Sequence, residues 1–157
     1  MKTYSTQNIR NVVLLGSTKS GKTTLSEAML YEGKVIDRRG TVEGKNTVSD
    51  NAEIEQINQR SIYATPLYAE FMDTKFNIID TPGADDFVGG AVSAFKVCDT
   101  GVLVVNAQQG VEVGTQIYSR YAKEYNIPLI VAVNQLDGEK ASWETTLESM
   151  KETFGNK

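Results

Sequence analysis

Histidine is absent from the 157-residue sequence, and cysteine occurs only once, at Cys98. The first absence excludes histidine-based catalytic triads and histidine-ligated metal sites. The second excludes an internal disulfide. Residues 95–98 have the pattern of the inner face of a helix end, so we interpret Cys98 as a buried structural thiol rather than a reactive one.

Long apolar runs are also missing. Residues 102–105 and 128–133 are among the longest, and they are far too short to cross a bilayer. The first residues, MKTYSTQN, lack the apolar region of a signal peptide. The formal net charge of −4 repels free nucleic acid and anionic membranes, so any RNA contact must be local or made elsewhere. We therefore expect a cytoplasmic protein with no membrane partner and no free nucleic acid as partner.

Short apolar runs alternate with segments of helical period, which is the pattern of one α/β domain. Pro66 removes a hydrogen-bond donor from one of these runs and so predicts an edge strand. We expect a doubly wound, mostly parallel sheet of the P-loop NTPase type, with one antiparallel edge strand and helices on both faces. The predicted strands are residues 11–15, 62–71, 76–79, 101–105 and 129–133.

Helices are predicted at residues 22–31 and 113–125, and a last helix is predicted to begin after Ser142. The apolar stripe of that last helix, which we expect to pack in the core, consists of Trp143, Leu147, Met150 and Phe154. Residues 34–60 are polar, contain several glycines and are weakly periodic. A loop of this length is uncommon unless it is functional or mobile, so we interpret it as a moving segment.

A phosphate-binding loop directly follows the first predicted strand. The match to GxxxxGK(S/T) consists of Gly16, Ser17, Thr18, Lys19, Ser20, Gly21, Lys22 and Thr23. Backbone amides and a helix N-terminus attract an anion, Lys22 reaches the outer phosphates, and Thr23 offers a hydroxyl to Mg²⁺. We expect these residues and Thr24 to bind nucleotide. An ordinary glycine-rich turn is the alternative.

Asp80 and Gly83 follow another predicted strand, within the sequence Asp-Thr-Pro-Gly. Ligands of such sheets lie at the carboxyl ends of the strands. We expect Asp80 to hold Mg²⁺ through a water molecule and the Gly83 amide to contact the γ-phosphate. A simple Pro-Gly turn would explain the turn but not the aspartate at the strand end.

Asn134, Gln135 and Asp137 follow the strand predicted at residues 129–133. A carboxylate at Asp137 can accept from both N1–H and the 2-amino group of guanine, and adenine has no such pair of donors. Discrimination of this kind can reach about 10⁴-fold, so GTP or GDP is the expected ligand. We expect Asn134 to tie this loop to the phosphate loop. A solvated turn is the alternative.

With these three sites in this order, the chain resembles the translational GTPases, most closely elongation factor G and its ribosomal-protection relatives. NVVLLGSTKSGKTTL is similar to the family's phosphate loop, EIEQINQRSIYAT to its first switch, and FNIIDTPGADDF to its second switch. VVNAQQGVEVGTQ and IPLIVAVNQLD continue the likeness. The resemblance implies GTP-linked work on the ribosome, most simply the movement of tRNA and mRNA.

The chain departs from this family at four positions. Ala84 stands where the family has the histidine that orients the attacking water. Tyr63 stands in place of a Mg²⁺-binding threonine, and Ser61 replaces a glycine. Thr65 is a substitute for the threonine only with a displacement of about 7 Å along a strand. Gln135 replaces the lysine that covers the guanine ring, and it keeps some packing but loses the charge.

These departures suggest that the domain binds guanine nucleotide through Lys22, Thr23 and Asp137 but hydrolyses GTP slowly or not at all. A water-positioning group contributes about 10²–10⁴ in rate, and an alanine cannot supply it. In the alternative interpretation, Asp85 or Asp86 reaches the water instead.

No guanine-contacting Ser-Ala loop follows Asp137 at the expected distance. We therefore expect residues 1–157 to be a GTP-binding domain that lacks the family's last core strand and later domains. Three other functions stay open: a competent GTPase, an interaction scaffold that ignores nucleotide, and a P-loop kinase, against which Asp137 argues.

Overall fold

The computed structural model describes residues 2–155, and within them a five-stranded sheet forms the centre of the fold. The strands lie in the order β2-β3-β1-β4-β5. β1 pairs in parallel with β3 and β4, β4 pairs in parallel with β5, and only β2 is antiparallel to its neighbour. This confirms the predicted fold class. The strands are β1 (Ile9–Leu15), β2 (Thr65–Phe71), β3 (Thr74–Asp80), β4 (Thr100–Asn106) and β5 (Leu129–Asn134).

Helices cover both faces of the sheet because successive residues of β1 point to opposite sides. Val13 and Leu15 belong to one apolar cluster, and Val12 and Leu14 belong to another. The larger cluster packs against α3, α4 and α5, and the smaller one packs against α1. None of the helices within residues 2–155 is long and apolar enough to cross a membrane. The helices are α1 (Lys22–Glu32), α2 (Glu53–Asn58), α3 (Val88–Phe95), α4 (Val113–Glu124) and α5 (Trp143–Phe154), with short 3-10 turns at Thr6–Asn8 and Asp85–Phe87.

The edge strand β2 is shorter than the sequence predicts. It contains Pro66 as expected, but it begins at Thr65 rather than at residue 62. The amides of Ile62 and Tyr63 donate to the Glu55 carboxylate, at 2.9 and 3.0 Å, instead of to a neighbouring strand. The buried Glu55 carboxylate therefore accepts the hydrogen bonds that the first residues of the predicted strand would otherwise donate within the sheet.

The polar segment 34–60 has more structure than its weak periodicity suggests. It contains the short helix α2, and its residues Thr47, Ser49 and Asp50 are buried. The carboxylate of Glu27, on α1, accepts hydrogen bonds from backbone amides of the segment. These hydrogen bonds fix part of the segment to α1, and its movement stays a prediction.

The apolar stripe predicted along α5 is only partly buried. Met150 is buried and Leu147 packs against the core, but the side chains of Trp143 and Phe154 are 47% and 36% exposed. These two residues are the first and last of the helix. The middle turns of α5 make the contact with the sheet, so the expectation that the whole stripe packs in the core was wrong.

Candidate nucleotide-binding site

The loop between β1 and α1 wraps around the ammonium group of Lys22. Its Nζ atom donates to the carbonyl oxygens of Gly16 and Ser17, at 2.8 and 2.9 Å. Gly21 precedes the helix with φ of 95°, and a Cβ atom there would collide with the Asn134 amide group. Glycine is therefore required at Gly21 for backbone conformation and for space. The loop opens into the N-terminus of α1, where free amides favour an anion.

Lys22 is a desolvated cation, and only 5% of the residue is exposed. Burial lowers its pKa to about 8, and the carboxylates of Asp80, Asp50 and Glu112 partly offset this by raising it. A buried positive charge at the head of a helix is a strong attractor for phosphate oxygens.

Hydroxyl and carboxylate side chains cluster beside the start of α1. Thr23 Oγ1 lies 3.2 Å from Ser61 Oγ. The carboxylates of Asp50 and Asp80 are buried, and within residues 2–155 neither forms a hydrogen bond of good geometry. Burial raises the pKa of Asp80 to about 6, although the Ser49 and Thr23 hydroxyls lie close enough to lower it somewhat. Burial also raises the pKa of Asp50, and the Ser61 hydroxyl opposes this.

The turn after β3 is fixed on both sides. Thr81 Oγ1 donates to the carbonyl oxygen of Leu14 at 2.6 Å, and the hydroxyl of Tyr118, on α4, donates to that of Pro82 at 2.8 Å. Burial raises the pKa of Tyr118 to about 12, so its hydroxyl stays protonated and able to donate well above neutral pH.

Gly83 lies directly against the phosphate loop. A Cβ atom at this position would be 2.5 Å from Lys22 Nζ and 2.6 Å from the backbone nitrogen of Thr18. No side chain other than hydrogen fits such an approach. The Asp80–Gly83 turn and the phosphate loop therefore meet backbone to backbone.

Two side-chain amides connect the loop after β5 to the phosphate loop. Asn134 Nδ2 donates to the carbonyl oxygen of Ser20 at 3.0 Å, and Gln135 Nε2 donates to that of Lys19 at 2.9 Å. Gln135 Oε1 in turn accepts from Asn106 Nδ2 at 2.7 Å. The last residues of β4 and β5 are thus joined to the residues that precede α1.

These elements enclose a cleft of about 810 Å³, within the usual size range of small-molecule sites. The structure brings together residues of all three predicted sites around it. Asp137 is exposed and is not among the residues that line the cleft. The lining includes Thr18, Lys19, Gly21, Lys22, Thr23, Thr24, Gly83 and Gln135 from the predicted set, together with Asp50, Ser61, Asn106 and Glu112.

A second cavity, of about 560 Å³, lies between the phosphate loop, Ala84 and the start of α4. Its lining includes two carboxylates, those of Asp85 and Glu112, and the side-chain amide of Gln116. Asp86 is exposed and does not line it. Glu112 also lines the main cleft, so it stands where the two cavities meet.

Sequence reasoning missed Asp50, Ser49 and Glu112 as members of the site. Glu112 comes shortly after the carboxyl end of β4, and strand-end position was a signal that could have found it. Asp50 and Ser49 lie in the polar segment without periodicity, and no local signal marks them.

A strand, a glycine-rich loop and a helix around a buried lysine, at the carboxyl edge of a mostly parallel sheet, define a P-loop nucleotide-binding domain. Residues 7–157 match the family model described as the elongation factor Tu GTP binding domain. The chain therefore belongs to this family, the GTP-binding domains of the translational GTPases.

Individual relatives agree with that assignment. The chain is 35% identical over 149 residues to an elongation factor G-like protein of Mycobacterium tuberculosis, a match that covers 95% of this chain and 21% of the relative. It is 37% identical over 147 residues to an oxytetracycline resistance protein of Streptomyces rimosus, covering 92% of this chain and 22% of the relative. A crystal structure of a protein from Thermus thermophilus matches with a TM-score of 0.90 and 33% identity, over 94% of this chain and 22% of that one. The chain thus spans about a fifth of the length of these relatives.

Proposed function

We propose that the protein acts as the GTP-binding domain of an elongation factor G-like translation factor in the cytoplasm, where it binds GTP and GDP with Mg²⁺ and hydrolyses GTP slowly. The observation that carries this proposal is the phosphate loop closed around buried Lys22, with the Gly83 turn against it. A γ-phosphate is the ligand that would touch both elements at once.

The residues near Thr23 suit a magnesium ion. Mg²⁺ prefers oxygen ligands and usually keeps several waters. Two buried carboxylates without hydrogen-bond partners in the described part of the chain, Asp50 and Asp80, provide negative charge that needs a cation or donors. Thr23 would offer its hydroxyl directly, and the carboxylates would hold bound water. A bound Mg²⁺ ion would neutralise the negative charge of the phosphates at this site.

Guanine selectivity is assigned to the loop after β5. Asn134 and Gln135 brace this loop against the phosphate loop, which supports a role for the exposed Asp137 in accepting from the base. A bound guanine would bring ligand atoms to Asp137, and an adenine would leave that carboxylate without matching donors.

Slow hydrolysis is inferred from Ala84, which borders the second cavity and carries only a methyl group. The competent-GTPase alternative is favoured by one specific observation: the carboxylates of Asp85 and Glu112 line the same cavity. Either could serve as an acceptor for water if it came within hydrogen-bond reach.

The proposed partner is the ribosome, in the longer polypeptides that the relatives represent, and the proposed work there is translocation. The net charge of −4 supports a partner surface contributed by other parts of such a polypeptide rather than by direct nucleic-acid binding of this chain.

Nucleotide binding is tested by calorimetry of a longer polypeptide that contains this domain, with GTP, GDP and ATP in the presence of Mg²⁺, since we expect residues 1–157 alone to bind nucleotide weakly. The proposal expects GTP and GDP to bind and ATP to bind at least about 100-fold more weakly. Absence of GDP binding at millimolar concentration would identify a scaffold, and a preference for ATP would identify a kinase-like site.

Hydrolysis is tested by single-turnover GTP cleavage with ribosomes, comparing a longer polypeptide that contains this domain with the same polypeptide carrying Ala84→His. We expect the substitution to raise the cleavage rate by about 10²–10⁴. A rate in the unmodified protein equal to that of an ordinary elongation factor would instead establish the competent GTPase. In that case, Asp85→Asn and Glu112→Gln would identify the group responsible.

A further inference from the structure

Building on the proposed GTP and Mg²⁺ binding, we propose that Ser61 supplies the hydroxyl ligand that the first switch contributes to the metal ion. The family's threonine would normally fill this role, and its position is occupied by Tyr63. The protein has thus moved the metal-contacting hydroxyl to the position of the family's glycine.

The distance between two oxygen atoms carries this proposal. Ser61 Oγ lies 3.2 Å from Thr23 Oγ1, the hydroxyl that the phosphate loop offers to the metal. In an octahedron with Mg²⁺–oxygen distances of about 2.05 Å, neighbouring ligands are about 2.9 Å apart. The two hydroxyls are therefore separated by nearly the distance between adjacent corners of a magnesium coordination sphere.

The surroundings of Ser61 match the chemistry of such a ligand. Ser61 lines the main cleft, and its hydroxyl lies close enough to the Asp50 carboxylate to lower the pKa of that carboxyl group. Asp80 also lies close to the Thr23 hydroxyl and is fully buried. Hydroxyl and carboxylate oxygens are the ligands and water-holding groups that a hard cation prefers.

The other two residues that could replace the missing threonine are engaged elsewhere. The side chain of Tyr63 is 57% exposed and does not line the cleft. Thr65 lies in β2, and its hydroxyl donates to the carbonyl oxygen of Ser49 at 3.2 Å. Thr65, which the sequence suggested as a substitute, is thus committed to a structural contact.

A buried carboxylate fixes the backbone on the far side of Ser61. Glu55 Oε1 accepts from the amides of Ile62 and Tyr63, and the amide of Arg60 donates to the Glu55 carbonyl oxygen at 3.2 Å. Charge-assisted bonds to successive amides restrict the local backbone. Ser61 is therefore held next to Thr23 by contacts with Glu55, in the first turn of α2, rather than by β2.

The first experiment measures the Mg²⁺ concentration at which the protein half-retains a fluorescent GTP analogue. We expect Ser61→Ala to raise this midpoint at least about tenfold, since loss of metal-supporting groups typically lowers metal affinity about 10–100-fold. Ser61→Thr, which keeps the hydroxyl, and Thr65→Ala, which removes the rival one, should stay within about twofold. A midpoint for Ser61→Ala within twofold of the unmodified protein would overturn the proposal.

The second experiment separates metal ligation from a loss of loop structure. Ser61→Cys places a thiolate at the site, and soft Cd²⁺ binds thiolate better than Mg²⁺ does. We expect Ser61→Cys to retain the analogue better in Cd²⁺ than in Mg²⁺, whereas the unmodified protein, which also contains Cys98, should not. Equal behaviour of the two proteins in Cd²⁺ would overturn the ligand role. If the unmodified protein fails to bind the analogue in Mg²⁺, the proposed function itself falls; if it binds normally and the Ser61 variants behave like it, this inference alone falls.

Discussion

Glu27 provides the most direct test of how the polar segment is held against the domain. Its side chain is 1% exposed, and its carboxylate accepts from the backbone amides of Gly40 at 2.7 Å and Val48 at 2.6 Å. Glu27→Ala removes both acceptors at once. We expect the stretch around residues 40–48 to detach locally while the sheet stays folded.

The magnitude follows from the burial of the two amides. Gly40 is buried, so its N–H would be left without a partner at about 1–3 kcal/mol. Val48 is 40% exposed, so its amide regains water and the loss is nearer about 0.5–1.5 kcal/mol. A total of about 1.5–4.5 kcal/mol corresponds to about 10- to 2,000-fold less protection from hydrogen exchange.

Amide exchange measured by NMR at Gly40 and Val48 is the assay. Glu32→Ala is the matched control, because Glu32 is the exposed last residue of the same helix and its replacement removes the same charge. Protection of both amides that stays within threefold of the unmodified protein in Glu27→Ala would refute this account of the segment.

Three further predictions test other parts of the site. Burial lowers the pKa of Lys22 to about 8, so the charge of Lys22 disfavours folding below pH 8, and this penalty disappears as the pH rises to about 10.5. We therefore expect urea unfolding to show that the free energy of unfolding of Lys22→Met, relative to that of the unmodified protein, falls by up to about 3 kcal/mol between pH 7 and 10. A difference that stays constant over this range would contradict the pKa shift. Burial raises the pKa of Cys98 to about 11, so a disulfide reagent at pH 8 should label it at least about 100-fold faster in denaturant than without, and equal rates would refute its burial. Gly83→Ala would bring a Cβ atom within 2.6 Å of the Thr18 nitrogen, where the outer phosphate is proposed to bind. We expect competition binding to show that the affinity for a GTP analogue falls at least about tenfold more than the affinity for GDP. Equal losses of the two affinities would argue against contact between Gly83 and the outer phosphate.

The sequence predicted the sheet and the gathering of its strand-end residues for one physical reason. The phosphate loop follows β1, and Asp80 and Asn134 are the last residues of β3 and β5; these three strands run in parallel. Parallel strands end at the same edge of a sheet, so residues placed after them meet there whatever the details of packing. Pro66 located the antiparallel edge strand by the same kind of reasoning, because a missing donor is tolerated only at an edge.

The rest of the site depends on contacts between polar groups far apart in the chain. Hydrophobic periodicity cannot reveal that Ser61 lies beside Thr23 or that Asp50 lies close to Ser61, because nothing in their sequence neighbours distinguishes them from solvated residues. α2 was missed for a related reason: it exposes Ile54 and Ile57 and buries Glu55, which inverts the usual pattern of an amphipathic helix.

The hydrogen bond from Tyr118 to Pro82 has a consequence for how signals could cross the domain. Arg120 and Lys123 lie on the exposed side of the same helix, α4. A protein that binds to this exposed side and shifts α4 must also shift the backbone at Pro82, just before Gly83. Energetic coupling between two sites acts equally in both directions. A ligand that rearranges the Asp80–Gly83 turn would therefore change the affinity of a protein that binds to the exposed side of α4.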